Sequence, residues 1–352
     1  MNKYIFYGAL ISFGLFLVSI ICYSRVIHVF SKKTYTVNLM ESSYRPNALH
    51  IPVTINDSIY RFMFDTKSSH NVIDSGLAQK IGLNDDGTFF SNITFTNGTK
   101  RSDSIAYVKK RIGIGNFKLN SNLVLNGHKG LFARDTAHMQ KVGAIMGMEI
   151  IQQYKWLFNF ADNTVSFSSN EVTIPALPDG EILTFEMDTV SKRNRIMNLT
   201  IGGVTIQDVV FDTGSDFILD LWDRKKNVDI IFSKPDFEIY SGKPRPSTTM
   251  HFGENAAYLT DSILINGFTM QGFLAFVNPE YEQTRITANF VRRFRMMYFD
   301  STNRKIELYV SPSDSIRHHR RDLQNFLRET FLIKSGEGSM DKTIELWQTN
   351  IY

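Results

Sequence analysis

The chain has little cysteine: Cys22 is the single one. An intramolecular disulfide is therefore excluded, and stability must come from packing. A strong charge of one sign is also missing. Lys and Arg number 39 against 35 Asp and Glu, a formal net charge of +4. The basic residues are spread out and no nucleic-acid motif occurs, so no nucleic-acid partner is expected. Metal-ligand spacing is lacking too. His318 and His319 are adjacent and would point to different faces of a helix, with no further ligands clustered nearby. No metal and no organic cofactor is expected.

What is present is aromatic mass and one long apolar run. The 352 residues include 28 Phe and 14 Tyr, enough for a sizeable core and two or three domains. Tyr4 to Ser24 carries no charge and is rich in Ile, Leu, Phe and Val, long enough to span a bilayer as a helix. A cleaved signal peptide competes, but no Ala-x-Ala-like site follows. Ser19-Ile20-Ile21 before Cys22 also lack the small residue of a lipoprotein signal. Residues 1–33 are read as an uncleaved anchor.

The chemistry concentrates at two apolar strands that end in an acid. Val209-Val210-Phe211 runs into Asp212-Thr213-Gly214-Ser215, and Phe62-Met63-Phe64 runs into Asp65-Thr66-Lys67-Ser68. A buried strand should not finish on a bare carboxylate, because desolvating that charge is costly unless it is bonded or paired. Each aspartate is a candidate partner for the other.

These two segments resemble those of the aspartic proteases, specifically the retropepsin-like type of bacteria with two lobes in one chain. The likeness covers roughly residues 35 to 310. It implies an all-β fold with short helices, two-lobed and pepsin/retropepsin-like, preceded by the transmembrane helix. It also implies that Asp65 and Asp212 form a catalytic dyad that activates water against a peptide bond. Thr66, Thr213, Gly214 and Ser215 would support the dyad, with the threonines hydrogen-bonded to each other across the lobe interface. Ile93 to Thr96 runs into Asn97-Gly98-Thr99, a strong hairpin signal. By resemblance this is the flap over bound peptide; read alone, it is an ordinary solvent hairpin.

The order of elements supports two lobes. Alternation over residues 34 to 64 reads as strands with a turn at Asn56-Asp57, and Ser75 to Leu83 as a short helix with Gly82 at its end. Ile112 to Leu119 and Ile263 to Met270 are matching strand-turn-strand units. Ala144-Ile145-Met146-Gly147 and Ile286-Thr287-Ala288 then lead to Trp156 to Phe160 and Met296 to Asp300, with Ala288 standing where glycine is usual. The expected domains are residues 34–174 and 175–312, joined at Pro175 to Gly180, and a helical tail over 313–352. The tail places Leu323, Phe326, Leu327, Phe331 and Leu332 at helical spacing.

The functional expectation is a membrane-anchored aspartic endopeptidase, extracytoplasmic (periplasmic), acting on peptide or protein substrates. The charges at Lys3, Arg25, Lys32 and Lys33 slightly favour the opposite orientation. Two lobes in one chain make a dimer unnecessary for the dyad. Lys67 replaces the family's glycine. Turned inward, its ammonium would favour two ionised carboxylates and oppose a shared proton; turned outward, it would leave the pair intact. A catalytically inactive peptide-binding module is therefore the alternative, and a purely structural β protein the third. Paired carboxylates also serve glycosidases, but nothing else in the chain supports that reading.

Overall fold

Strand-forming alternation and tight turns shape the chain, and the turns explain where each strand stops. Asn56 and Asp57 adopt φ 49° and 60°, and Asn266 and Gly267 adopt φ 47° and 84°. Such left-handed pairs match the twist of two-residue hairpins. The computed structural model describes residues 33–42, 48–84, 86–94, 100–126, 143–176, 180–188, 195–215, 219–221, 238–242, 255–277, 284–310, 332–333 and 342–345. The anchor over residues 1–33 falls, but for Lys33, outside them, and so do the turn Asn97-Gly98-Thr99 and the helical spacing from Leu323 to Phe331. Among the described residues no helix is long and apolar enough to cross a membrane.

The first half runs β1 (Tyr35–Asn38), β2 (His50–Ile55), β3 (Ser58–Phe64), β4 (Asn71–Asp74) and helix α1 (Ser75–Lys80). It continues with β5 (Gly87–Thr94), β6 (Lys100–Ile114), β7 (Phe117–Asn126), β8 (Ala144–Met146), helix α2 (Met148–Ile151), β9 (Lys155–Asn159) and β10 (Thr164–Ser168). The second half runs β11 (Glu181–Asp188), β12 (Arg195–Ile201), β13 (Val204–Asp212), β14 (Leu219–Leu221) and β15 (Glu238–Gly242). Then come β16 (Asn255–Ile265), β17 (Phe268–Val277), β18 (Arg285–Thr287), helix α3 (Ala288–Val291), β19 (Met296–Asp300) and β20 (Lys305–Val310). The described part is mostly strand, with short helices. Helix α1 is capped by Asp74, whose Oδ2 accepts the Leu77 N–H at 2.8 Å. It ends before Gly82, which takes φ 72°.

Pairings in the two halves correspond strand for strand. β3 lies parallel to β8, and β13 lies parallel to β18. β4 runs parallel to β7 and antiparallel to β8, and β14 does the same with β17 and β18. The hairpins β2–β3 and β6–β7 match β12–β13 and β16–β17. Even the single closing contacts agree, Thr54 with Gly113 and Ile201 with Ile265.

Six strands join the halves in the order β1-β10-β9-β19-β20-β11. At the middle of this sheet β9 and β19 run antiparallel, with Phe299 opposite Trp156 and Asp300 opposite Lys155. The Lys155 ammonium lies 3.3 Å from the buried Asp300 carboxylate. Phe64, the residue before the first aspartate, packs its ring against Trp156 and Phe158 at centroid distances of 5.1 and 4.9 Å. Phe211, before the second, stacks on Phe299 at 5.8 Å. Both rings are essentially inaccessible, and such burial is worth roughly 1.5–3 kcal/mol per side chain. The joining sheet thereby seats both acid-bearing strands on one base.

The tail departs from the helical expectation where it is described. Leu332–Ile333 (β21) and Lys342–Glu345 (β22) are strands, and β22 adds in parallel to β15. An open sheet edge offers unpaired backbone groups to such a segment.

Candidate active site

Each aspartate closes its strand and begins a tight loop. Asp65 Oδ1 accepts the backbone N–H groups of Lys67 at 2.8 Å and Ser68 at 3.0 Å. Asp212 Oδ1 accepts the Gly214 N–H at 3.1 Å, and its carbonyl accepts the Ser215 N–H at 3.2 Å. Behind the loops, Met148 N–H donates to the Ser68 carbonyl, and Ala288 N–H donates to that of Ser215.

The threonines interlock the two loops. Thr66 N–H donates to Thr213 Oγ1, and Thr213 N–H donates to Thr66 Oγ1, both at 3.1 Å. Each hydroxyl also donates across, Thr66 to the Phe211 carbonyl at 2.6 Å and Thr213 to the Phe64 carbonyl at 2.7 Å. Both side chains are buried, so each bond satisfies a backbone group that would otherwise be stranded. The Asp65 carboxylate lies directly on Gly214. A Cβ at that position would stand 2.4 Å from its Cγ.

Lys67 does not distort the loop. It has no positive φ, and neither has Gly214, so glycine serves here for space rather than for backbone freedom. The Lys67 side chain is partly exposed and reaches toward the opposite half, with Nζ 4.0 Å from Asp212 Oδ2. It reaches the acid of the other half rather than its own.

Register corrects the reading of Ala288. Phe64 pairs with Met146, and Phe211 pairs with Ile286. Gly147 therefore corresponds to Thr287, and Ala288 corresponds to Met148 at the start of its helix. Gly147 is needed where it stands, because a Cβ would lie 2.2 Å from the His70 carbonyl oxygen. Its N–H donates to Asn71 Oδ1 at 2.9 Å. Asn71 is fully buried and also reaches Ser121 Oγ and Glu149 Oε2. His70, beside it, is held below the usual histidine range by burial, with Glu149 opposing.

Arg285 was not legible as a site residue. It is 3% exposed, and its Nη1 lies 3.4 Å from Asp212 Oδ2. The only signal was an arginine among apolar and hydroxyl residues in Thr284-Arg285-Ile286-Thr287, a segment that proves buried and where an unpaired charge is not tolerated.

Burial, and next the Asp212 charge, push Asp65 up to about 6, against the N–H donors of Lys67 and Ser68 and the Lys67 charge. A carboxyl that holds its proton in weak acid can serve as an acid near neutrality. Among the described residues no group of three or more His, Cys, Asp or Glu could hold a metal ion.

Residues 51–150 match the family model described as aspartyl protease. The match includes Asp65, Thr66 and Gly147 and stops well before Asp212. It supports an aspartic protease at the level of the family, and so a hydrolase of the peptidase kind. A search of curated proteins finds no match.

Proposed function

We propose that the protein is a membrane-anchored aspartic endopeptidase of the retropepsin-like type, with Asp65 and Asp212 as its dyad and one acid from each of two duplicated lobes. The observation that carries this reading is the reciprocal Thr66–Thr213 clasp, which sets the Asp65 carboxylate against the loop of Asp212. In the proposed reaction Asp212 takes a proton from water as its oxygen attacks the peptide carbonyl carbon. Asp65 gives its proton to the carbonyl oxygen, forming a gem-diol. Asp212 then returns its proton to the amide nitrogen, Asp65 recovers one from the diol, and the C–N bond breaks. Peptide or protein is the substrate, and Asn97-Gly98-Thr99 forms the tip of the covering flap. Residues 1–33 hold the chain at a membrane with the catalytic part outside the cytoplasm.

The test is cleavage of a mixed peptide library by the full chain from acidic to neutral pH, with Asp65→Asn and Asp212→Asn beside it. Cleavage that both substitutions abolish supports the peptidase; cleavage that persists sinks it. A second reading, a peptide-binding module without catalysis, draws on the two cations at Asp212. It predicts peptide capture without cleavage by the unsubstituted chain.

A further inference from the structure

Two of the departures between the halves surround the same acid. Met63 pairs with Ile145, and Val210 pairs with Arg285. Ile145 is thus the counterpart of Arg285, and Lys67 is the counterpart of Gly214. Asp65 has an isoleucine and a glycine at these positions, whereas Asp212 has two cations. Their charged atoms lie 3.4 and 4.0 Å from one oxygen, Oδ2. Sterics act in the same direction. Asp65 rests on Gly214 only because no Cβ is there. Lys67 carries that Cβ, so Asp212 cannot rest on it in return.

We propose that Arg285, assisted by Lys67, fixes the division of labour in the dyad: in the singly protonated pair Asp212 carries the negative charge and Asp65 carries the proton, and this state persists further into acid than it would without the two cations. This rests on the peptidase reading for its consequence in catalysis, but not for its charge assignment. In a symmetric pair, repulsion between like charges decides only that one proton is shared. An opposite charge within about 4–6 Å favours the ionised form of its neighbour. Here such charges face one member more than the other. Arg285 is buried and held on a strand paired on both sides, by β13 and β14. Asp220 is its Cα partner on β14. Among the described residues, the charged groups at Asp212 are Lys67 and Asp65 from the opposite loop and Arg285 from β18, and those acting on Asp65 are Asp212 and Lys67. The raised position of Asp65 agrees with this assignment. Arg285 acts through Asp212 and is a positioning residue.

The experiment is a carboxyl titration of the full chain by carbon NMR with 13C-labelled aspartate. Asp65→Asn and Asp212→Asn identify the two signals, and the pH profile of peptide cleavage is recorded in parallel. In the unsubstituted chain the upper of the pair's two steps belongs to the Asp65 signal. Arg285→Met raises the lower step by about one pH unit or more, makes both signals report both steps, and carries the acid limb of cleavage with it. Arg285→Lys restores most of the original positions. Lys67→Gly moves the lower step the same way by less, since its ammonium is farther and partly exposed. An upper step on the Asp212 signal, or steps that Arg285→Met leaves in place, would overturn the proposal. Should Arg285→Met not fold, Lys67→Gly decides: an unmoved lower step overturns the assignment. If the unsubstituted chain cleaves no peptide yet titrates as described, the peptidase reading fails while the charge assignment stands.

Discussion

The loops at Asp65 and Asp212 share a backbone and differ in charge. Both tie the carboxylate to N–H groups within the loop, both present a threonine to the other half, and both are fastened from behind by a short helix. The Asp65 carboxylate rests on Gly214, and its half has Ile145 where the other has Arg285; around Asp212 the neighbours are Lys67 and Arg285. Backbone hydrogen bonds impose the common scaffold, because a buried N–H or carbonyl must find a partner. Side chains face no such uniform demand, so the scaffold can stay symmetric while its electrostatics diverge.

The largest expected effect treats the two acids as equals. Asp65→Asn and Asp212→Asn should each lower kcat for peptide cleavage by about 10²–10⁴, the usual worth of general acid–base catalysis. A loss confined to one of them would break the symmetry of the proposed reaction. Next comes the space between the loops. Gly214→Ala forces a Cβ to 2.4 Å from the Asp65 Cγ and should cost about 10² in kcat, as displacement of a reacting group by about 1 Å does. Lys67→Ala, at the corresponding place, keeps the loop and should shift thermal unfolding little, within roughly 0.5–1 kcal/mol.

The threonine clasp sharpens the comparison from the side of stability. Thr66→Val and Thr213→Val each strand a buried N–H and a buried carbonyl of the other half. Each should cost about 1–3 kcal/mol in urea unfolding, with the double variant well short of the sum because the partners are shared. Equal single losses would confirm that the scaffold is symmetric.

The last expected effect is a slope in pH. Asp65 has its folded value raised from 3.8 to about 6. Below about pH 4 the folded and unfolded chains both hold this proton, and its contribution to stability is complete. As pH rises toward 6 the unfolded chain releases it first, so the contribution falls away. Thermal midpoints should therefore carry a downward component from Asp65 between pH 4 and 6. Asp65→Asn should remove that component, and a slope that survives the substitution would contradict the raised value.

Both acid-bearing segments were legible because their pattern is local. Three apolar residues before an acid mark a strand entering a core, as Phe64 and Phe211 do. Hairpins over Ile112 to Leu119 and Ile263 to Met270 were legible for the same reason, since alternation and Asn or Gly at the turn act within a few residues. Asn71 to Asp74 preceded the helical pattern and proved to be its own strand, β4, parallel to β7. Parallel pairing joins segments far apart in sequence and leaves little local mark.

Ala288 was misplaced by one residue for a related reason. Apolar matching aligned it with Gly147, whereas the hydrogen-bonded register assigns that place to Thr287. Lys67 was visible as a departure, but its direction was not. A lysine side chain has many rotamers, and only the position of Asp212 draws it across. Arg285 sits 73 residues beyond Asp212 in the numbering, and nothing short of strand pairing brings them together.

Local pattern and composition were enough for the two acid-ended strands, their threonines, the paired order of elements and the exclusion of an intramolecular disulfide. Tertiary structure alone decided which backbone groups the threonines bond, that Gly214 is required for space, that Thr287 replaces a glycine, and that both cations attend Asp212. The physical reason is range. Strand periodicity and turn geometry act over a few residues, whereas burial, ion pairing and steric exclusion act between neighbours in space, whose identity is settled only when the two halves close on one sheet.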